Sequence, residues 1–471
     1  MPHRRLATAL AAIGTVLAVL ACLTTGASPV GASPVSTQTT TSYDALDPAT
    51  WSASQLAAQL TFVCLDSSAT ATMRSLAAQG IGGFGLLGRD APADLATRLA
   101  SVRAAAPHGI PPLVASDEEG GLVQRLSNVI YPLPSAETMG GWTTTHVYGT
   151  AKSYAARMRK LGVLMDFAPD SDLAIPGYYI ASQHRAFSRW PNHVSTDVKA
   201  WIRGMRASGV PTVVKHWPGH GQATNTHTGA ATVPPLSTLE TRDMIPFNAA
   251  LAIGVPAVMV GHLRSEGLTD GTWPATESPS ALSYLRRHAG WDTLIVTDSL
   301  SMAAATSAVG LTTPRAAVRA LRSGADIALT CSPSGVVSAV TSAIQDGRIS
   351  RARAIASARR LLRLKARVGL LHAYAGPWPS TATVHVASAS VPVGGSDALT
   401  TTVTGGYRPV QVQEQRSGAW HALRSVVTGP HGWVRVTLPT GSAGTHRFRV
   451  QARPAFPWAA VTSATVTVTV G

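Results

Sequence analysis

Short apolar runs alternate with amphipathic stretches along most of this 471-residue chain, and this alternation is the strongest constraint on its fold. Helical periodicity follows most of the runs, and strands that alternate with helices pair in parallel. The apolar runs are residues 60–65, 83–87, 112–116, 163–168, 212–214, 257–260, 294–297 and 326–330. Eight such units predict an α/β fold, a (β/α)8 barrel of the TIM type over residues 44–376. A doubly wound open sheet is the alternative, although no glycine fingerprint follows the first run.

Residues 381–471 have a different pattern, in which apolar and polar residues alternate in short runs between Gly and Pro turns. This pattern is typical of an all-β sandwich, here a small one of the immunoglobulin type. The segment has seven arginines, no lysine and two acids, which gives it a net charge of +5. It is either an accessory module that contacts an anionic or glycan-rich surface, or a spacer with solvated arginines.

The N-terminal segment, residues 1–43, has the features of a secretory signal followed by a Ser/Thr/Pro linker. Two arginines precede an apolar stretch, residues 6–23, and small residues follow it. We therefore expect a protein that is secreted or held at the extracellular cell envelope. A transmembrane anchor and a lipoprotein anchored at Cys22 are the alternatives that this segment leaves open.

The chain is strongly basic, with 39 Lys and Arg against 24 Asp and Glu, and only five of the basic residues are lysines. Such an excess indicates an anionic partner. The arginines are dispersed along the predicted helices, where they have the pattern of solvated faces, and are not clustered with aromatics. Together with the export signal, this favours the anionic cell envelope as the partner of a basic surface and argues against nucleic acid.

Ionisable residues follow several of the predicted strands, where the carboxyl ends of barrel strands converge. The set comprises Asp117, Glu118 and Glu119 after the third run, the acids from Asp166 to Asp172 around the fourth, Lys215 and His216 after the fifth, His262 after the sixth and Asp298 after the seventh. Three interpretations are open: metal-assisted hydrolysis with Asp117, His216, His262 and Asp298 as ligands, glycosidic cleavage by a carboxylate nucleophile, and binding without chemistry. The first run lacks the His-x-His that barrel metallohydrolases usually carry, so we expect no metal and no cofactor.

Five motifs in order resemble those of the glycoside hydrolase family 3 β-N-acetylglucosaminidases of bacterial cell-wall turnover. They are DEEGGLVQR at 117–125, FAPDSD at 167–172, RAFS at 185–188, KHWPGHG at 215–221 and TDSLSM at 297–302. The resemblance covers about residues 45–375. It implies an exported, monomeric retaining hydrolase that removes terminal β-N-acetylglucosamine from peptidoglycan-derived glycans. A β-glucosidase of the same family and a non-catalytic wall-binding protein are the alternatives.

The resemblance also implies roles for single residues. Asp298 would be the nucleophile, and His227, on the loop after the fifth strand, would be the acid/base. The residues matching sugar-binding positions are Asp117, Arg125, Arg185, Lys215 and His216, and His262 either lines the pocket or has a structural role. The family usually has an aspartate two residues before the acid/base histidine, where this chain has Asn225. Because an amide cannot stabilise an imidazolium by charge, we expect slow turnover of poor leaving groups.

Two cysteines lie at the ends of the predicted barrel: Cys64 ends the first run and Cys331 follows the eighth. The first and last strands of a closed barrel are neighbours, so a disulfide between these cysteines fits the fold of an exported protein. Two buried free thiols are the alternative.

Overall fold

The computed structural model of the protein describes residues 45–372, 374 and 376–471. The predicted signal and linker, residues 1–43, and with them Cys22, lie outside the described residues. Within the described ranges, none of the helices combines the length and the apolar character that a bilayer crossing requires.

Helices and strands alternate up to residue 367, and strands alone follow. The helices are α1 (Ala53–Gln59), α2 (Thr70–Ala78), α3 (Leu95–Ala104), α4 (Ala136–Gly140), α5 (Thr144–Leu161), α6 (Tyr179–Ser182), α7 (Pro191–Ala207), α8 (Leu236–Thr241), α9 (Ile245–Ala252), α10 (Pro279–Ala289), α11 (Thr313–Ser323), α12 (Val336–Gln345) and α13 (Arg351–Arg367). The parallel strands are β1 (Thr61–Asp66), β2 (Gly83–Leu87), β3 (Leu113–Ser116), β4 (Met165–Asp166), β5 (Val213–Trp217), β6 (Ala257–Val260), β7 (Leu294–Thr297) and β8 (Ala328–Thr330). The later strands are β9 (Ala382–Val386), β10 (Ser390–Val391), β11 (Asp397–Val403), β12 (Pro409–Arg416), β13 (Ala419–Val427), β14 (Trp433–Leu438), β15 (Gly444–Ala452), β16 (Val461–Thr462) and β17 (Val466–Val470).

Helix α7 illustrates why these segments form their elements. Pro191 occupies its first turn, where the missing N–H costs nothing. Val194, Val198, Trp201 and Met205 recur at helical spacing and are all buried. Nε1 of Trp201 donates to Oδ2 of Asp166 on β4 at 3.2 Å, so this stripe includes the helix face that reaches the sheet.

Among the described strands, β1 to β8 form two parallel sheets and not one closed barrel. Five strands have the order β8-β1-β2-β3-β4, and three have the order β7-β6-β5. Only isolated bridges connect the sheets: Asp166 to Thr212 and Asp170 to Lys215 on one side, and Val296 to Ile327 on the other. Between β7 and β8, the hydroxyl oxygen of Thr297 accepts a hydrogen bond from the N–H of Leu329, 3.0 Å away. This bond takes the place of a backbone hydrogen bond of the ladder. The expected parallel α/β fold is confirmed, whereas a continuous closed barrel is not formed.

The ladder between β4 and β5 is interrupted where prolines replace residues that have an N–H. Pro169 follows β4 and Pro211 precedes β5, and a proline has no N–H to give to a ladder. The N–H of Asp166 reaches the Pro211 carbonyl, 2.9 Å away, and beyond Pro169 the N–H of Ser171 reaches the Lys215 carbonyl at 2.6 Å, so two separated links join these segments.

The C-terminal strands form two sheets that enclose their own core, as the alternating pattern predicts. One sheet has the order β9-β11-β14, and the other has the order β10-β17-β15-β12-β13, with β16 beside β15. Leu399 and Val436 of the first sheet and Val412 and Phe448 of the second belong to one cluster of buried residues. The segment is therefore a β-sandwich.

The sandwich packs against the α/β part at the amino ends of the parallel strands. Arg363 of α13 pairs with Asp292, just before β7, and donates to the Pro454 carbonyl at 3.3 Å. Arg359 donates to Asp47 at 2.9 Å and to the Tyr407 carbonyl at 3.0 Å. The carboxyl ends of the strands are thus left uncovered by the sandwich.

Several arginines of the α/β part bind backbone carbonyls at the ends of neighbouring helices. Arg103 donates to the Gly162 carbonyl at 3.3 Å, and Arg159 donates to the Gly209 carbonyl at 3.1 Å. Arg206 donates to the Gly254 carbonyl at 3.0 Å. Cations at these positions satisfy carbonyls that have no partner inside the helix. The expectation that these arginines are simply solvated is wrong, because part of the basic excess stabilises the fold.

Candidate active site

A cavity of about 540 Å³ opens at the carboxyl ends of the parallel strands. Its charged and histidine side chains come from strand β5 and from the loops after β2, β3, β4, β5 and β7. They are Arg89, Asp117, Glu119, Arg125, Arg185, Lys215, His216, His220, His227 and Asp298. The structure therefore brings together the predicted residues in one pocket, with the exception of His262 and of Asn225, which lies beside His227.

Lys215 joins two carboxylates on the pocket wall. Its Nζ lies 2.6 Å from Oδ1 of Asp117 and 2.6 Å from Oε1 of Glu119. Burial lowers the pKa of an ammonium, but these carboxylates outweigh burial and hold the pKa of Lys215 above its ordinary range. Arg125 approaches the other oxygen of Asp117 at 3.7 Å. The pocket thus holds fixed charges of both signs, which suits the binding of sugar hydroxyl groups.

Glu119 is a site residue that the sequence did not distinguish from its neighbour Glu118. Arg185 binds its carboxylate through two parallel hydrogen bonds, Nε at 2.7 Å and Nη2 at 2.8 Å. Although burial raises the pKa of Glu119, Arg185 and Lys215 outweigh burial and hold it well below its usual range. The Gly120–Gly121 turn, with φ of 88° and 56°, folds this segment back so that Glu119 faces the pocket.

Asp172 fixes the loop that carries the histidines. Its Oδ2 accepts from Nδ1 of His216 at 2.8 Å, and its Oδ1 accepts the backbone N–H of His220 at 2.6 Å. The proton on Nδ1 leaves Nε2 of His216 as an acceptor, and Arg185 donates to it at 3.4 Å. Burial lowers the pKa of His216. Asp172 and Arg185 therefore orient this buried histidine as a hydrogen-bonding group of the pocket wall.

Asp170, Asp172 and His216 place ligand-type atoms within 4.8 Å of one another, the geometry of a small cation site. Arg185 lies 3.6 Å from Oδ2 of Asp170, and burial together with the neighbouring Asp172 raises the pKa of Asp170 well above its ordinary range. The expectation of no metal stays a prediction.

Asp298 directly follows β7, and its carboxylate faces the cavity. The N–H of Ser299 donates to its Oδ1 at 2.7 Å. Burial would raise the pKa of Asp298, but His216, His262 and this N–H outweigh burial and lower it. The carboxylate is thus ionised at neutral pH, the state that a nucleophile requires.

His227 reaches the cavity from the loop between β5 and α8. Asn225 Oδ1 accepts both its backbone N–H at 3.0 Å and its ring Nδ1–H at 2.9 Å. The backbone carbonyls of Thr226 and His227 accept from Ala304 and Ala303, in the segment after Asp298. The loop is therefore tied to the segment after Asp298, and Nε2 of His227 is left to exchange a proton.

Of the two roles expected for His262, the structure supports the structural one, and the expectation that it lines the pocket is wrong. Its Nδ1 contacts the Thr276 hydroxyl at 2.9 Å, and its Nε2 contacts the Ser299 carbonyl at 2.9 Å. Both ring nitrogens are occupied, so this buried side chain holds the backbone next to Asp298 and does not meet a ligand directly.

Cys64 and Cys331 form part of the pocket wall and are joined by a disulfide in the structure. Their Cα atoms are 4.5 Å apart, because β1 and β8 pair directly through Thr61 and Ala328. The bond closes one side of the cavity next to Ser299, whose hydroxyl lies 3.3 Å from the sulfur of Cys331.

The fold and the pocket define the class of protein: a parallel α/β protein with an enzyme-type cavity at the carboxyl ends of its strands. The model of the glycosyl hydrolase family 3 N-terminal domain matches residues 55–364, which is more than half of the chain. The chain belongs to glycosyl hydrolase family 3.

Two relatives illustrate the sequence similarity. The beta-hexosaminidase LpqI of Mycobacterium tuberculosis is 38% identical over 229 residues, which cover 47% of this chain and 58% of the relative. A beta-hexosaminidase of Stenotrophomonas maltophilia is 34% identical over 244 residues, covering 50% of this chain and 70% of the relative. The chain therefore spans little more than half the length of LpqI.

Solved structures of family 3 proteins are also similar to this chain. The structure of LpqI of M. tuberculosis matches with a TM-score of 0.62 and 32% identity, over 68% of this chain and 96% of that one. A glycoside hydrolase family 3 beta-N-acetylglucosaminidase from Paenibacillus matches with a TM-score of 0.62 and 30% identity, over 67% of this chain and 62% of that one.

Proposed function

We propose that the protein is a retaining glycoside hydrolase that removes terminal β-N-acetylglucosamine from peptidoglycan-derived or related glycans. The observation that carries this proposal is the ionised Asp298 in one cavity with His227 and the Lys215–Asp117–Glu119 network. Family membership and relatives named beta-hexosaminidase support the same activity.

In the first step, a carboxylate oxygen of Asp298 attacks the anomeric carbon, and the bond to the leaving oxygen breaks. That oxygen takes a proton from Nε2 of His227 as it departs. In the second step, His227 removes a proton from water, whose oxygen attacks the anomeric carbon and releases Asp298. Two inversions give net retention of configuration.

The remaining polar groups position the sugar. Lys215 and Arg185 donate to its hydroxyl oxygens, while Asp117 accepts from a hydroxyl. Arg125 lies beside Asp117 and adds a further donor. Because these groups are already held by one another, little ordering is needed when a sugar replaces water.

The proposed setting is the cell envelope. The N-terminal sequence supports export, with a lipid anchor at Cys22 as an alternative form. A monomer is the proposed oligomeric state. The basic excess, of which the sandwich contributes +5, supports contact with anionic envelope polymers.

Release of nitrophenol from the aryl β-N-acetylglucosaminide tests the activity, with the Asp298→Ala variant as the negative control. We expect release by the natural chain, at least 10³-fold slower release by the variant, and a β-configured first product by NMR. Faster release from the aryl β-glucoside would identify a β-glucosidase instead. Binding of wall glycan without release from any aryl glycoside would identify a non-catalytic binding protein.

A further inference from the structure

One face of the β-sandwich is rich in amides, hydroxyls and arginine and lies away from the sandwich core. Strand pairing places Gln411 opposite Gln451, Gln413 opposite Arg449, Gln415 opposite Trp420, and Arg447 opposite Thr467. Since residues alternate between faces, these side chains lie opposite the buried row that includes Val412, Phe448 and Val450. We call this surface the outer sheet face.

The outer sheet face is positively charged. Both acids of the sandwich are buried, with exposures of 2% for Asp397 and 4% for Glu414. Glu414 is also neutralised by Arg416, in an ion pair of 2.6 Å, and is bound by His446. Among the residues that the structure describes, no carboxylate therefore offsets Arg447 and Arg449 on this face. Its charge is complementary to an anionic partner.

Side chains on this face are already held in place. Arg449 Nε donates to Oε1 of Gln413 at 2.8 Å, and Nε2 of Gln413 donates to Oε1 of Gln411 at 2.8 Å. The guanidinium of Arg449 stacks on the Trp420 ring, 4.3 Å from its centroid. A fixed arrangement of this kind loses little conformational entropy when it binds a ligand.

The same face continues into a groove at the boundary with the α/β part. This groove has a volume of about 230 Å³, and Gln411, Ser425 and Arg453 meet Trp291 there. Trp291 is 37% exposed, and Arg360 lies over its ring at 4.7 Å. The groove thus places another aromatic ring, Trp291, and another arginine, Arg453, at the end of the outer sheet face.

We propose that the outer sheet face and this groove bind an acidic polysaccharide. Trp420 and Trp291 offer apolar surface for sugar rings, the glutamines and threonines bond hydroxyl groups, and the arginines pair with the acid groups. The inference rests on the proposed contact with anionic envelope polymers and names the surface that makes it. Because this surface lies at the amino ends of the parallel strands, an attached polymer leaves the catalytic cavity open.

Affinity electrophoresis of the full chain through gels containing polygalacturonate tests the proposal, with neutral dextran gels as the reference. We expect retardation by polygalacturonate alone, and at least tenfold weaker binding by Arg447→Gln/Arg449→Gln. The matched control, Arg74→Gln/Arg435→Gln, removes the same charge from outside this face: Arg74 is exposed on α2 of the α/β part, and Arg435 lies on the other sheet of the sandwich. It should bind within twofold of the natural chain.

Equal weakening by the two double variants would overturn the proposal, since it would mean attraction by net charge alone. Unchanged binding by Trp420→Ala, together with equally tight binding of a DNA duplex, would also overturn it. Arg447→Gln alone provides the test if the double variant does not fold. Hydrolysis of the soluble aryl glycoside should be unchanged in all these variants, so a failure of this inference is distinguishable from a failure of the proposed function.

Discussion

Nδ1 of His227 lies 2.9 Å from Oδ1 of Asn225, so an amide orients the proposed acid/base. An aspartate at this position would stabilise the imidazolium by charge, which an amide cannot do. In Asn225→Asp we expect the basic limb of the kcat/KM profile to move to higher pH by about one unit. Turnover of poor leaving groups should also increase. A pH–rate profile identical to that of the natural chain would contradict this role for Asn225.

Replacing Glu119 by Gln should destabilise the protein strongly. Arg185 and Lys215 would lose a buried counter-charge, and breaking a buried pair from one side costs about 3–5 kcal/mol. Urea unfolding at pH 7 measures the loss. Asp94→Asn is the control, because the Asp94–Arg98 pair lies on the surface and should not shift the midpoint measurably. Similar midpoints for the two variants would show that the Glu119 network does not stabilise the fold.

The buried carboxyl group of Glu118 should make the free energy of unfolding fall as the pH rises toward 7. Burial raises its pKa to about 7, despite hydrogen bonds from Ser116 and Tyr154. The folded state therefore holds a proton that the unfolded state releases near its ordinary pKa, so stability falls between pH 4.5 and about 7. The loss amounts to about 3 kcal/mol for a group shifted this far. In Glu118→Gln, the unfolding free energy should fall less over this range, and an identical slope in urea titrations would contradict the account.

Lys365 should give the free energy of unfolding the opposite pH dependence, a rise, above pH 7. It is fully buried, its Nζ donates only to Oε1 of Gln59 at 2.9 Å among the described residues, and burial lowers its pKa to about 7. Above pH 7 the unfolded chain binds a proton that the folded chain does not, so stability rises toward pH 10.5. Lys365→Met should remove this rise, by up to about 1.4 kcal/mol per pH unit. If the variant and the natural chain give parallel curves from pH 7 to 10, Lys365 is charged in the fold.

Much of the site could be predicted from the sequence because it depends on strand ends. Apolar runs locate the strands, and parallel pairing then brings Asp117, Lys215 and Asp298 to the same side of the sheets. Glu119 could not be separated from Glu118, since a tight turn at Gly120 decides which carboxylate faces the cavity. The one available signal was the paired glycines that follow the acids.

Other features depend on contacts between distant segments. Nothing local in the sequence shows that Arg159 binds the carbonyl of Gly209, or that both ring nitrogens of His262 are occupied. The interrupted ladder between β7 and β8 likewise depends on the Thr297 hydroxyl, which accepts the N–H of Leu329 in place of a backbone carbonyl.

The proposed mechanism depends most on Asp298 as the nucleophile, and trapping the glycosyl-enzyme tests this role directly. The full chain is incubated with 5-fluoro-β-N-acetylglucosaminyl fluoride, digested and measured by mass spectrometry. We predict one added fluorosugar, on the peptide that contains Asp298, and no labelling of Asp298→Ala. A label on another carboxylate, or steady turnover with an inverted first product and no label, would contradict the central claim.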